Sequence, residues 1–220
     1  IGVPFSDPMA DGPVIQAACE RALAHHVTLH QVLDMVREFR QQDANTPIIL
    51  MGYLNPVEVW GYREFAAAAA DAGVDGVLTV DMPPEEAGDL AAALKAHQID
   101  TIFLLAPTSN AHRMQLVGES ASGFLYYVSF KGVTGANRLD VASVADKLEE
   151  LRKHTDLPVG VGFGIRDPES AAQVAKIADA VVVGSVLVNR IAELADRPEA
   201  IAPALTETLA GMRAAIDAAG

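Results

Sequence analysis

Six short runs of β-branched and apolar residues recur along the chain, and a longer alanine-rich segment with helical periodicity follows each one. The runs are PIILMGY (47–53), GVLTVD (76–81), DTIFLLA (100–106), FLYYVSF (124–130), PVGVGFG (158–164) and AVVVGS (180–185). Their spacing averages about 26 residues, the size of one strand-plus-helix unit. Each run is almost continuously hydrophobic, as parallel strands are when both faces are covered. Helices are expected ahead of the first run at PVIQAACERALAHH, and between the runs at REFAAAAADAG, PPEEAGDLAAALKAH, SVADKLEELRKH and PESAAQVAKIA. The third of these is expected to open on its prolines and acids, a normal first turn. Strict alternation of strand and helix defines an α/β chain with a parallel sheet.

A closed sheet fits better than an open one. Ile1-Gly2-Val3 reads as the end of a further strand, so seven strands are in view, and a (βα)8 TIM barrel needs eight. The expectation is one barrel domain over residues 1–220, with the first βα unit and most of strand 2 lying ahead of Ile1. No Gly-x-Gly-x-x-Gly follows an early strand, which argues against a dinucleotide-binding fold.

Composition narrows the partners. The chain of 220 residues carries a formal net charge of −13, the opposite of a nucleic-acid or anionic-membrane footprint. No apolar run approaches the ~20 residues of a membrane span. Cys19 is the only cysteine, so there is no disulfide framework, and a cytoplasmic setting is expected. His25 and His26 stand in no metal-ligand spacing, and no metal site is expected.

Functional residues of a barrel lie at the C-terminal ends of its strands and in the loops that follow. Those positions include Pro4, Asp7, Asp11, Tyr53, Asn55, Asp81, Tyr126, Gly162, Gly164, Gly184 and Ser185. The glycines of GVGFGIRDPES and VVVGSVLVNRI precede helix starts, where backbone N–H groups and the helix dipole can hold a phosphate. They are also compatible with tight turns alone. Tyr126 is compatible with a ligand contact or with plain packing. Pro13 suits the first position of a helix, which puts the cap at Gly12 and leaves Asp11 one residue too early to serve. Its neighbours Pro8, Met9 and Ala10 offer it little water, so its carboxylate is expected to face a ligand. Trp60 and Met35 read as packing.

PFSDPMADGPVIQ resembles the signature of the tryptophan synthase alpha subunit. The resemblance continues in GVDGVLTVDMPPEE, YYVSFKGVTGA, GFGI and VVVGS, in order along essentially the whole chain. It implies a (βα)8 barrel that cleaves indole-3-glycerol phosphate to indole and glyceraldehyde 3-phosphate. It also implies a beta subunit that receives the indole in an alpha2-beta2 heterotetramer and holds pyridoxal phosphate, with no cofactor in the alpha chain. By the same resemblance Asp11 binds the indole N–H, Tyr126 and Phe163 lie beside the substrate, and Thr134 belongs to a loop that closes over it. Gly135, Gly164, Gly184 and Ser185 form the phosphate cradle, and Pro4 and Asp7 meet the beta subunit. Phe130-Lys131 departs from relatives that carry Arg and a small residue there. The family's catalytic glutamate is expected immediately before Ile1.

Breaking the carbon–carbon bond requires a proton on indole C3 and removal of one from the neighbouring glycerol hydroxyl. One carboxylate can stabilise the charge on the indole nitrogen while the other moves protons. Two other readings stay open on the sequence. Lys131, just past a strand, is placed for a Schiff-base aldolase, which borohydride trapping would reveal. A chain with a non-acidic residue before Ile1 would instead be a regulatory subunit that only activates its partner.

Overall fold

The structure, a computed structural model, describes residues 1–129, 140–162 and 164–220. They form two compact units, residues 1–103 with 120–123, and residues 104–119 with 124–220.

The first unit holds α1 (Pro13–Ala24), α2 (Leu29–Arg40), β1 (Ile49–Gly52), α3 (Leu54–Trp60), α4 (Tyr62–Ala72), β2 (Gly76–Thr79), α5 (Gly88–Ala96) and β3 (Asp100–Ile102). β1, β2 and β3 pair in that order, all parallel. The N-terminal Ile1-Gly2-Val3 segment lies along β1, joined to it by a single bridge, with Val3 buried and Ile1 and Gly2 exposed. Gly2 makes a parallel bridge to Met51, the Val3 N–H donates to Met51 O at 2.8 Å, and the Met51 N–H donates to Ile1 O at 2.9 Å.

Helix α2 shows why this unit closes over its sheet. Leu29, Val32, Leu33 and Val36 fall on one stripe at helical spacing and all are buried. Thr28 starts the helix through a capping box. Its Oγ1 accepts from the Gln31 N–H, and Gln31 Oε1 accepts from the Thr28 N–H at 2.8 Å. Neighbouring α4 buries Phe65, Ala66, Ala69 and Ala72, and its small side chains permit close packing. It ends at Gly73, whose φ of 94° only glycine adopts cheaply. Trp60 packs as expected, stacked on His30 with centroids 3.7 Å apart. Met35 does not, being 51% exposed on the outer side of α2.

The second unit holds β4 (Leu104–Leu105), α6 (Ala111–Ser120), β5 (Leu125–Val128), α7 (Val141–Leu151), β6 (Val159–Gly162), α8 (Pro168–Ala175), β7 (Ala180–Val182), α9 (Ser185–Glu193), a 3-10 turn at Pro198–Ala200 and α10 (Ile201–Asp217). β4 to β7 pair consecutively and in parallel. Two boundaries differ from the sequence expectation. The run DTIFLLA divides into β3 and β4 on either side of Phe103. The segment PPEEA is a turn rather than the opening of a helix: Glu86 N–H donates to Pro83 O and Ala87 N–H to Pro84 O, and α5 begins only at Gly88. Each proline disfavours the helical conformation in the residue before it, so Met82 and Pro83 are both biased away from a helix.

One device sets the strand register in each unit. In the first, the Asp75 carboxylate accepts from the Ile48 N–H at 2.7 Å and from Arg40 Nη2 at 2.6 Å, while the Asp75 N–H donates to Ile48 O at 2.9 Å. Arg40 also donates to the carbonyls of Gly73, Asp43 and Thr46, so the guanidinium ties three loop carbonyls to that carboxylate. In the second unit Asp179 accepts from the Val159 N–H at 2.9 Å, its own N–H donates to Val159 O at 3.0 Å, and Arg152 Nη2 lies at 3.4 Å. Asp75→Ala strands the Ile48 N–H and the Arg40 fork together, which costs about 1–3 kcal/mol. We expect a lower urea midpoint for Asp75→Ala, and a smaller loss for Asp179→Ala, whose arginine contact is longer and more exposed. Equal midpoints for both variants and the parent would refute this account of the register.

Candidate active site

The segment after the IGV stub leaves the sheet at Pro4 and runs to α1. Met9 N–H donates to Asp7 O and Asp11 N–H to Pro8 O, so Asp7 to Asp11 form tight turns. Gly12 is the cap of α1, with Pro13 in the first turn and no side-chain cap bond. Asp11 is therefore free of capping duty, as its position implied. The loop is more open than its apolar composition suggested: Met9 is 86% exposed and Asp11 is half-buried. Asp7 is exposed and accepts from Ser6 Oγ at 2.5 Å, while Pro4 is half-buried.

Tyr53 organises this loop. It is the residue that follows β1 and caps α3, and only 4% of it is exposed. Its hydroxyl donates to Asp11 Oδ2 at 2.9 Å and accepts from the Ala10 N–H at 3.0 Å. Phe5 stacks on its ring with centroids 5.4 Å apart. Burial, and then the Asp11 carboxylate, push the phenol up to about 12, so it stays protonated. Among the described residues Asp11 Oδ1 accepts no hydrogen bond. The sequence places Tyr53 at a strand end, but nothing local signals a bond to a residue 42 positions away. Asp81, at the end of the next run, accepts from the Leu54 N–H at 2.8 Å and so supports the start of α3.

In the second unit β6 reads Val-Gly-Val-Gly. Val159 and Val161 are fully buried on one face, and the two glycines open the other. Aromatic side chains of β5 and the residue before it fill the space. A Cβ at Gly162 would stand 2.2 Å from Tyr126 Oη, and one at Gly160 would stand 3.4 Å from the Phe124 ring. Tyr126 is thereby held over the end of β6, with 6% of it exposed. Ser129 Oγ donates to Gly162 O at 2.7 Å and ties the end of β5 to the same point. Gly162, grouped with Gly164 on sequence alone, serves this packing.

Beyond the strands, Gly164 has a φ of 79°, a conformation L side chains rarely adopt. Gly184 caps α9 with no side-chain bond, and Ser185 is the first helical residue. Gly162 pairs with Val182, so Gly164 and Gly184 each stand two residues past one paired position. Both are exposed, and a Cβ at either would meet no atom of the described residues within 4 Å. Nearby, Asp167 caps α8 through a capping box with Ser170, whose N–H and hydroxyl hold its carboxyl below the usual range. Thr134, Gly135, Phe163 and Lys131 lie outside the described residues.

A cavity of about 250 Å³ opens on the other face of β5, lined by Pro107, Tyr127, Ser143, Asp146, Lys147 and Glu150. It holds none of the expected site residues. Among the described residues no cluster of His, Cys, Asp and Glu is arranged to hold a metal ion, and no helix is long and apolar enough to cross a membrane. Cys19 is a free, half-buried thiol, and His25 and His26 are exposed at the end of α1.

Repeated parallel βα units, three strands in one sheet and four in the other, are the arrangement of the (βα)8 class. The sequence profile described as tryptophan synthase alpha chain matches residues 1–217. The tryptophan synthase alpha chain of Thioalkalivibrio sulfidiphilus is 66% identical over 217 residues, covering 99% of this chain and 82% of that protein. The corresponding protein of Nitrosococcus oceani is 62% identical over 218 residues, with 99% and 80% covered. Among solved structures, tryptophan synthase subunit alpha from Legionella pneumophila superposes with a TM-score of 0.89 at 46% identity, over 98% of this chain and 80% of that one. The tryptophan synthase complex from Pyrococcus furiosus gives 0.84 at 33% identity, over 97% and 84%. The chain belongs to the tryptophan synthase alpha chain family. It has the family's (βα)8 fold and is a carbon–carbon lyase of tryptophan biosynthesis, the partner of a beta chain.

The packing at Gly162 gives a direct test. Gly162→Ala forces the Tyr126 ring off the end of β6, because the new methyl and the phenol cannot share the space. A crystal structure of the variant should show Tyr126 displaced, with thermal stability lowered. An unmoved ring would contradict the geometry.

Proposed function

We propose that this chain cleaves indole-3-glycerol phosphate with Asp11 as the group that holds the indole N–H. The observation that carries this reading is the half-buried Asp11 carboxylate, fixed at Oδ2 by Tyr53 and open at Oδ1. Protonation at indole C3 turns the ring into an electron sink and leaves positive charge on its nitrogen. A carboxylate aimed at that N–H lowers the energy of the charge as it develops, the kind of electrostatic stabilisation worth several kcal/mol. Loss of the glycerol hydroxyl proton then lets the carbon–carbon bond break, giving indole and glyceraldehyde 3-phosphate. The glutamate expected immediately before Ile1 moves these protons, a task that typically contributes about 10²–10⁴-fold. The protonated ring replaces a Schiff base, so the reaction needs no lysine.

The phosphate is held by backbone N–H groups at Gly164, Gly184 and Ser185, with Gly135 in the same role. Two features support this cradle. Among the described residues no atom claims the space beside Gly164 or Gly184, and Ser185 opens α9, where the first N–H groups have no intrahelical partner. Tyr126, Phe163 and Thr134 line the substrate. Pro4 and Asp7, on the same loop as Asp11, meet the beta chain, so partner binding and the indole-holding carboxylate share one segment. The chain needs no cofactor of its own, pyridoxal phosphate belonging to the beta chain. A cytoplasmic setting fits its lone free cysteine.

Asp11→Asn in the intact protein, assayed with its beta chain, should lower indole release by about 10²–10³-fold. Its circular dichroism spectrum should match the parent's, because the asparagine amide can still accept from Tyr53. Turnover at the parent's rate would remove Asp11 from the chemistry. Gly184→Val should raise KM strongly and leave melting unchanged, since bulk there meets only the incoming phosphate. An unaltered KM would place the phosphate elsewhere.

A further inference from the structure

We infer that Tyr53 is a positioning residue for the lyase reaction, holding Asp11 so that one carboxylate oxygen stays available to the indole N–H. The inference rests on the reading of Asp11 given above and deepens it. Asp11 lies in an exposed loop and caps no helix, so nothing in its local backbone fixes its side chain. A carboxylate in that setting would rotate freely and hydrate both oxygens. The transition state would then bear the cost of ordering it.

The structure shows how that cost is avoided. The Tyr53 ring is buried at the end of β1 and stacked on Phe5, so its hydroxyl has one place to be. That hydroxyl uses its proton on Asp11 Oδ2 and a lone pair on the Ala10 N–H, gripping two successive residues of the loop. The phenol keeps its proton at any pH near neutrality, so it acts as a donor and never competes as a base. Because Tyr53 occupies Oδ2, Oδ1 is the oxygen left to accept from a ligand.

Tyr53→Phe is the test, because it removes the hydroxyl and keeps the ring against Phe5. The Ala10 N–H that loses its acceptor is part-buried but belongs to an exposed residue, so water can take the place of the hydroxyl. Steady-state kinetics with indole-3-glycerol phosphate should show kcat lowered by about 10- to 100-fold, the equivalent of one hydrogen bond to a charged group, with KM nearly unchanged. Thermal melting should stay at the parent's value, and a crystal structure should show Asp11 in more than one rotamer. Phe5→Leu is the control: it thins the ring's packing but keeps the phenol, and should retain most of the turnover. Parent-level kcat in Tyr53→Phe would overturn the inference while leaving Asp11 in its role, provided Asp11→Asn is still impaired. Equal losses in Tyr53→Phe and Phe5→Leu, or a fall in melting that tracks the fall in kcat, would assign Tyr53 to packing and overturn it as well. An active Asp11→Asn would instead remove the reading on which the inference stands.

Discussion

An aspartate just ahead of a strand, bonded through both its backbone and its side chain to a residue at or just before the start of the strand beside it, is the constraint on which much of this structure rests. Asp75 does this to Ile48 and Asp179 to Val159, each with an arginine behind the carboxylate. A parallel strand that slips by one residue turns every side chain to the other face. Strands of three or four residues have few ladder bonds with which to resist such a slip. Fixing one end fixes the other, and the other end is where function lies. Ile49 opposite Gly76 brings Tyr53 out just beyond the sheet, and Gly162 opposite Val182 leaves Gly164 and Gly184 each two residues past the paired ends of β6 and β7.

The parts of this arrangement that could be read from sequence are those carried by local pattern. The six apolar runs mark the strands to within a few residues, and the Asp167-Pro168 helix start stands where it was expected. Where two local signals compete, the pattern misleads. Pro83 and Pro84 resemble a helix opening but each disfavours the helical conformation in the residue before it, and DTIFLLA reads as one strand although the pairing changes at Phe103. The tie from Tyr53 to Asp11 leaves no trace in either residue's neighbourhood, because it spans 42 positions. Gly162 illustrates a subtler limit. Its glycine could be noticed, but whether it made room for a ligand or for another side chain required the ring of Tyr126 to be placed.

The chemistry proposed for the two units draws on different kinds of polar group. The indole end depends on a formal charge, Asp11, whose setting is tuned by a neutral donor. The phosphate end depends on backbone N–H groups that carry no formal charge. On a chain with a net charge of −13 this matters, since the overall field repels an anionic substrate at long range. Recognition must then come from short-range geometry, which is where oriented amides and a helix terminus are effective.

The fit of Tyr126 over Gly162 also bears on how such a chain can change over generations. One position has given up its side chain so that another can lie across it, and neither residue can vary alone without a clash or a void. A larger residue at 162 displaces the Tyr126 ring unless a smaller one replaces it at 126. Sequences that survive such a change should therefore carry it as a pair, so that the history of either site is written in the other.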